Sequence, residues 1–256
     1  MADLEPRILY RDEAIVLVDK PPGLLVHPNP HERGAPTCLW ILRDLVGGEL
    51  RTVHRIDRGT SGLVLFAVTQ ESASLLAAQF RERSIVKQYL AIVRGHLLAA
   101  RTIDLPVPRD LGSEPVPSST LVRPLARAVV HEPVGRYDEG WFTLVEVDLL
   151  TGRMHQARKH LHHIDHPVIG DNKHGDPAQN RFFEQRFGGR ELFLRAYKLG
   201  FNHPVTGRTV EACAGLPGRW LRVAASLGLE VPVDLPRAPF VTCSPRRRLP
   251  PVRGAQ

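Results

Sequence analysis

A chain of 256 residues with 43% hydrophobic content is long enough to bury a core and short enough for one catalytic domain. Its formal charge of +7, from 34 Lys and Arg against 27 Asp and Glu, points to an acidic polymer as partner, although a general bias toward arginine explains basic charge alone as well. Three scattered cysteines without a C-x-x-C pair argue against a disulfide framework or a cysteine zinc site and fit a reducing cytosol. No stretch approaches the roughly 20 apolar residues needed to cross a bilayer, and the acidic, proline-bearing first residues do not read as a signal peptide.

In chain order, Ile8 to Tyr10 and Ile15 to Val18 read as a hairpin of short strands, stopped at Pro21-Pro22-Gly23. Thr37 is a candidate N-cap for a helix through Leu42 to Val46 that ends at Gly47-Gly48. The apolar run Leu63 to Val68 is short for a helix and reads as a buried strand, entered by the polar loop His54 to Gly62. Thr69 caps the helix carrying Leu75, Leu76 and Phe80, with Arg81 and Arg83 at its C-terminal end, and Tyr89 to Val93 is a strand. Frequent prolines from Pro106 to Pro133 predict a long irregular excursion or an extended arm over the surface. Phe142 to Leu149 is a strand, closed by Thr151-Gly152 before a polar helix from about Met154. Pro177 starts a helix through Phe182, Phe183 and Phe187; Leu192 to Leu199 is a strand, His203 to Gly207 a turn into Thr209 to Ala212, and Trp220 to Leu227 a last helix. Residues 231–256, rich in proline and arginine with Arg246-Arg247-Arg248, are expected to be a disordered tail behind a catalytic domain over residues 1–230.

One constellation carries chemistry. His54-Arg55-Ile56-Asp57-Arg58 sets a carboxylate among two arginines and a histidine, with Thr60-Ser61-Gly62 supplying hydroxyls and flexible backbone. Cationic neighbours favour the ionised form, which suits a nucleophile or electrostatic stabiliser better than a general acid. A structural salt bridge in a turn accounts for the same residues.

His54 to Gly62 resembles the H-R-x-D-x-x-T-S-G signature of the RluA-type pseudouridine synthases, with all six fixed residue types in place. Lys87-Gln-Tyr89-Leu-Ala91-Ile-Val93-Arg-Gly95 is similar to the family's K-x-Y-x-A-x-V-x-G segment, and Thr151 to His160 to its T-G-R-T-H-Q-I-R-x-H, with Met154 and Ala157 departing from the usual threonine and isoleucine. His166-Pro167 and Gly170-Asp171, the opening Ile8 to Pro28 and the closing strand and turn from Leu192 to Gly207 resemble the family as well, so the likeness runs from about residue 8 to about residue 212.

The resemblance implies an α+β pseudouridine synthase fold: a mixed, mainly antiparallel central sheet flanked by helices, with a basic catalytic cleft across it and no separate N-terminal RNA-binding module. It implies an isomerase in which Asp57 drives cleavage of the glycosidic bond of a flipped uridine, and the base is rejoined through carbon. By the same carry-over Arg158 pairs with Asp57, a bidentate task for which arginine is well shaped. Tyr89 stacks on the uracil, Arg55 props the space left by the flipped nucleotide, and Leu194 is a weaker candidate for apolar contact with the base. Arg58, Arg153, His155 and Lys159 are expected to contact RNA. Taken singly, Tyr89 reads as a half-buried strand aromatic, Arg55 as a solvated charge and Leu194 as core.

No cofactor is expected, because the isomerisation involves no net redox change. The histidines His155, His160, His162, His163 and His166 suggest a metal, but no H-E-x-x-H is present and Pro167 disfavours helix at His166; no metal is expected. Gly170 to Asp176, with Asn180-Arg181-Phe182-Phe183 and Phe187-Gly188, resembles a segment of the subgroup that modifies the T-arm side of tRNA. tRNA is therefore the expected partner and ribosomal RNA the alternative, with the protein a cytoplasmic monomer. The rivals from other classes are an idle RNA-binding protein or RNA chaperone on the same fold, and a metal hydrolase using the histidines.

Overall fold

The structure, a computed structural model, describes residues 4–30, 32–108 and 112–245. Strands β1 (Arg7–Arg11) and β2 (Ile15–Lys20) precede α1 (Cys38–Val46), and β3 (Arg51–Thr52) and β4 (Ser61–Ala67) precede α2 (Gln70–Arg81). Then come β5 (Val86–Arg94), β6 (Arg101–Asp104), β7 (Val107–Pro108), β8 (Pro115–Val116), β9 (Ser119–Val130) and β10 (Gly140–Leu149). Helices α3 (Gln156–His163) and α4 (Pro177–Phe187), strands β11 (Leu194–Asn202) and β12 (Thr209–Cys213), α5 (Gly218–Leu227) and β13 (Phe240–Ser244) complete the chain. The chain divides into two compact units, each assembled from separate stretches. Among the described residues, one comprises those up to Lys87, Ala196–Gly215 and those from Ala238 to Pro245; the other those from Gln88 to Arg195 and Leu216–Arg237.

In the first unit the strands run in the order β1-β2-β4-β11-β12-β13, with β3 on β4. Every residue of β4 is buried, as the unbroken apolar run predicts for a central strand. Ile15, Leu17, Leu63, Leu65, Phe201 and Val210 form the core on which Phe80 of α2 packs, each fully buried aliphatic side chain contributing about 1.5–3 kcal/mol. Thr37 and Thr69 cap their helices as expected, accepting from the N–H groups of Trp40 and Ser72, and Gly47 ends α1 in the left-handed region. Asp12 and His203 tie the first hairpin to the turn before β12. His203 Nε2 lies 2.8 Å from Asp12 Oδ2, Tyr10 donates to the same oxygen, and Asp12 Oδ1 accepts from the N–H groups of Ala14 and Ile15. Those bonds lower the Asp12 carboxyl against the opposing effect of burial, and push the Tyr10 phenol up to about 12.

In the second unit the antiparallel order is β5-β10-β9-β6. Alternation along β10 decides its two faces. Val145 and Val147 join Ala91, Val93 and Val122 beneath Ala157 and Leu161 of α3, whereas Phe142, on the other face, meets Phe182 and Phe183 of α4, and Phe183 continues through Phe193 to Trp220 of α5.

Two expectations need correction. The stretch from Pro106 to Pro133 is not irregular throughout: it contains the 12-residue β9, paired along its length with β10. Pro124 hides it, because a proline inside a strand is tolerated at a bulge, and the register with β10 shifts between Leu144 and Val145, opposite Ala126 and Pro124. Residues 240–244, within the stretch expected to be a disordered tail, form β13, whose backbone is paired with β12 from Thr209↔Ser244 to Cys213↔Phe240. Main-chain hydrogen bonds hold that segment and need little apolar content. Arg246-Arg247-Arg248 lies outside the described residues.

Candidate active site

The motif loop, between β3 and β4, belongs to the first unit and is pinned on both sides of Asp57. Before it, His54 Nε2 accepts the N–H of Leu65 at 2.9 Å while the ring stacks on Phe80 at 4.8 Å between centroids. That acceptor role leaves the proton on Nδ1 and makes His54 a neutral structural ring rather than an RNA-facing cation. After Asp57, the Arg58 carbonyl accepts from Gly23 N–H at 2.8 Å and from Lys20 Nζ at 3.2 Å. Within the loop, Thr60 N–H donates to the Asp57 carbonyl at 3.1 Å, and Ile56 is buried. Gly62 has φ +107°, and a Cβ there would stand 2.1 Å from the Ala196 carbonyl oxygen, so the glycine of the motif is required by a close backbone approach.

Lys20, which sequence reasoning passed over as a functional residue, is fully buried and satisfied by the carbonyls of Pro21, Leu24 and Arg58. Burial pushes its ammonium down to about 7, opposed by Cys38, Asp57 and Asp19. Its signal in the sequence is a lysine closing an apolar strand directly before Pro21-Pro22-Gly23. The guanidinium of Arg58, expected to contact RNA, donates to the Gly23 carbonyl and bridges to Glu32, so it helps hold the loop. Arg55 is exposed and Asp57 half-buried.

Burial, with a lesser effect of Lys87, pushes the His54 imidazole from its ordinary 6.5 to about 3; the residue's partial solvent access tempers the consequence. Below pH 6.5 the unfolded chain takes up a proton that the folded ring refuses, so stability is complete above that pH and is lost progressively as pH falls toward 3. We expect His54→Gln, which keeps an acceptor for Leu65 N–H, to flatten the decline of stability between pH 7 and pH 5 by up to roughly 1 kcal/mol per pH unit. Denaturant titrations of both proteins across that range measure the two slopes; equal slopes would refute the assignment.

The remaining residues of the resemblance lie in the second unit. Tyr89, opposite Val147 in the β5–β10 register, packs half-buried against the cluster that contains Ala157 and Leu194. Leu194 itself is buried core. Arg158 is buried on α3 and forms a fork with Asp171, Nε to Oδ2 at 2.7 Å and Nη2 to Oδ1 at 2.6 Å. His155 precedes α3 at φ 56° and sits 3.1 Å, Nδ1 to Nε2, from His174. Arg153 and Lys159 are half-buried beside it.

What holds this loop is Gln156, another residue that sequence reasoning missed. Its carbonyl oxygen accepts from Thr151 Oγ1 and Arg153 N–H, and its amide donates to the Ser119 carbonyl and Thr120 Oγ1 of β9. The strand hidden by Pro124 is thus the anchor of the Thr151 to His155 loop. Of the histidines, His160 is fully buried and bonded to the Leu105 carbonyl, and His166 is half-buried and bonded to the Arg94 carbonyl. Among the described residues no three of His, Cys, Asp or Glu converge as a metal-ligand set.

These features define a basic α+β protein in which the carboxylate-bearing residue Asp57 lies half-buried in a braced loop. A family model described as RNA pseudouridylate synthase matches residues 14–163. The chain belongs to the RNA pseudouridylate synthase family and is an RNA-modifying isomerase. It is 39% identical over 232 residues to tRNA pseudouridine synthase C of Yersinia pestis, covering 86% of this chain and 90% of that one. It is 40% identical over 232 residues to tRNA pseudouridine synthase C of Salmonella typhi, covering 86% and 89%. Among solved structures, human RNA Pseudouridylate Synthase Domain Containing 1 superposes with a TM-score of 0.67 at 24% identity over 90% of this chain and 98% of its own, a likeness of fold. Human RNA Pseudouridylate Synthase Domain Containing 4 gives 0.66 at 25% identity over 88% and 94%.

Proposed function

We propose that the protein converts a uridine of tRNA to pseudouridine, with Asp57 as its catalytic carboxylate. The observation that carries the tRNA assignment is the 35–40% identity, over 84–87% of the chain, to a series of proteins each named tRNA pseudouridine synthase C. The isomerisation breaks the bond from the sugar carbon to ring nitrogen and forms one from the same sugar carbon to ring carbon 5. The proton on carbon 5 leaves and the ring nitrogen gains one, so atoms balance with no oxidant and no cofactor. Asp57 supplies the carboxylate that initiates cleavage. The base is never released, so catalysis depends on holding it near the sugar rather than on a second carboxylic acid. In this reading Arg158 pairs with Asp57, Tyr89 stacks on the uracil, Arg55 supports the flipped nucleotide, and Leu194 adds apolar contact.

Arg58, Arg153, His155 and Lys159 contribute RNA contacts, which the charge of +7 supports. Among the described residues no helix is long and apolar enough to cross a membrane, which is compatible with action in the cytoplasm; we assign a monomer. The test is tritium release from uridine labelled at carbon 5, with unmodified tRNA and ribosomal RNA transcripts offered separately. Release from tRNA is expected. Release from ribosomal RNA alone reverses the substrate, and binding without release from either supports the idle RNA-binding protein. The tRNA affinity should also fall steeply between about 50 and 200 mM salt, by a factor of tens or more if several phosphates are contacted; a flat response in a binding titration contradicts phosphate-dominated contact.

A further inference from the structure

A guanidinium is a flat fork of five N–H donors, and the carboxylate that grips one edge decides where the other donors point. For Arg158 that carboxylate is Asp171, gripping the Nε–Nη2 edge with both oxygens. The pair is removed from water, with side-chain exposure of 9% for Arg158 and 0% for Asp171. Asp171 is itself fixed: Oδ1 also accepts from the N–H groups of Lys173 at 2.9 Å and His174 at 3.0 Å. These bonds lower its carboxyl against the opposing effect of burial.

The backbone beneath it is fixed as well. Asn180 donates to the Asp171 carbonyl at 3.0 Å and accepts from Gly170 N–H at 2.7 Å. A Cβ on Gly170 would stand 1.7 Å from the Glu191 carbonyl oxygen, and one on Gly175 2.1 Å from that of Asp171, so neither residue admits a side chain without displacing the loop. Stability alone is a poor reason for this construction, since the desolvation of a buried ion pair commonly offsets its attraction. Orientation is a better one.

We propose that Asp171 is a positioning residue for the reaction: it clamps Arg158 by its Nε–Nη2 edge so that Nη1 and the outer N–H of Nη2 are presented in one fixed direction. This rests on the reading that Arg158 takes part in the isomerisation. Asn180 and the glycines at 170 and 175 hold the clamp in register. Asparagine at position 171 has one oxygen where the carboxylate has two. Its amide would point donors at Arg158 or at the N–H groups of Lys173 and His174, so the fork would turn.

The test is a double-mutant cycle on tritium release from C5-labelled tRNA transcripts, with tRNA binding and melting temperature measured in parallel. Asp171→Asn is expected to lower kcat about a hundredfold with tRNA Kd within a factor of three of wild type, and to have no further effect in an Arg158→Lys background. A fall in kcat that multiplies with that of Arg158→Lys means that Asp171 does not act through the arginine and overturns the proposal. So does wild-type kcat in Asp171→Asn beside a crippled Arg158→Lys, an outcome that leaves the role of Arg158 standing. Wild-type kcat in Arg158→Lys removes the reading on which the proposal rests. If Asp171→Asn does not fold, Asn180→Ala loosens the same loop without touching the carboxylate: a lowered kcat with unchanged Kd supports the clamp, and an unchanged kcat overturns it.

Discussion

Asp57→Asn should reduce tritium release from C5-labelled tRNA by at least roughly 10^4-fold, to the background of the assay. Asparagine is nearly isosteric with aspartate but has no anionic oxygen to attack a carbon or stabilise the cation-like sugar. The fold should survive, because other groups brace the loop: His54 holds Leu65 N–H, and Lys20 and Gly23 hold the Arg58 carbonyl. Thr60 N–H donates to the Asp57 main-chain oxygen rather than to its side chain. Circular dichroism, melting temperature and tRNA Kd should therefore match wild type within error. Turnover above background in this variant, free of wild-type contamination, would remove Asp57 from the chemistry.

Arg158→Lys carries the next largest expectation. Lysine keeps the charge but replaces a two-bond planar fork with a point donor on a flexible stem. It cannot hold both Asp171 oxygens as the Nε–Nη2 edge does at 2.7 and 2.6 Å, and the ammonium would wander in a space shaped for a guanidinium. We expect kcat to fall roughly 10^2- to 10^3-fold while KM changes little, the signature of a group used in the transition state rather than in holding RNA. A rise in KM at constant kcat would reassign Arg158 to RNA binding. Single-turnover rates measured with excess enzyme separate the two outcomes.

Much of this molecule is legible in its sequence because the governing rules are local. Thr37, Thr69 and Pro177 mark helix starts through backbone groups one turn away, and the unbroken apolar run after Ser61 reads as the central strand β4. Where local rules conflict, the reading fails. Pro124 is a strand breaker in isolation, yet β9 absorbs it at a bulge because Leu121 and Val122 on one side and Ala126 and Ala128 on the other still register with β10. The strand β13 is invisible for the converse reason: a segment such as Phe240 to Ser244 becomes ordered only when the free edge of β12 offers it partners.

The signature that singles out Asp57 is therefore legible in the sequence, since a chemical signature is a matter of residue type and order. Its bracing is not. That His54 is a neutral acceptor, that Lys20 reaches the Arg58 carbonyl, that Gln156 ties the Thr151 to His155 loop to β9, and that Asp171 takes one edge of Arg158 are contacts between residues from 5 to 38 positions apart. Such contacts exist only once strands and helices have packed, because a hydrogen bond at 2.6–3.2 Å depends on where two backbones meet in space and not on which residues adjoin in the chain.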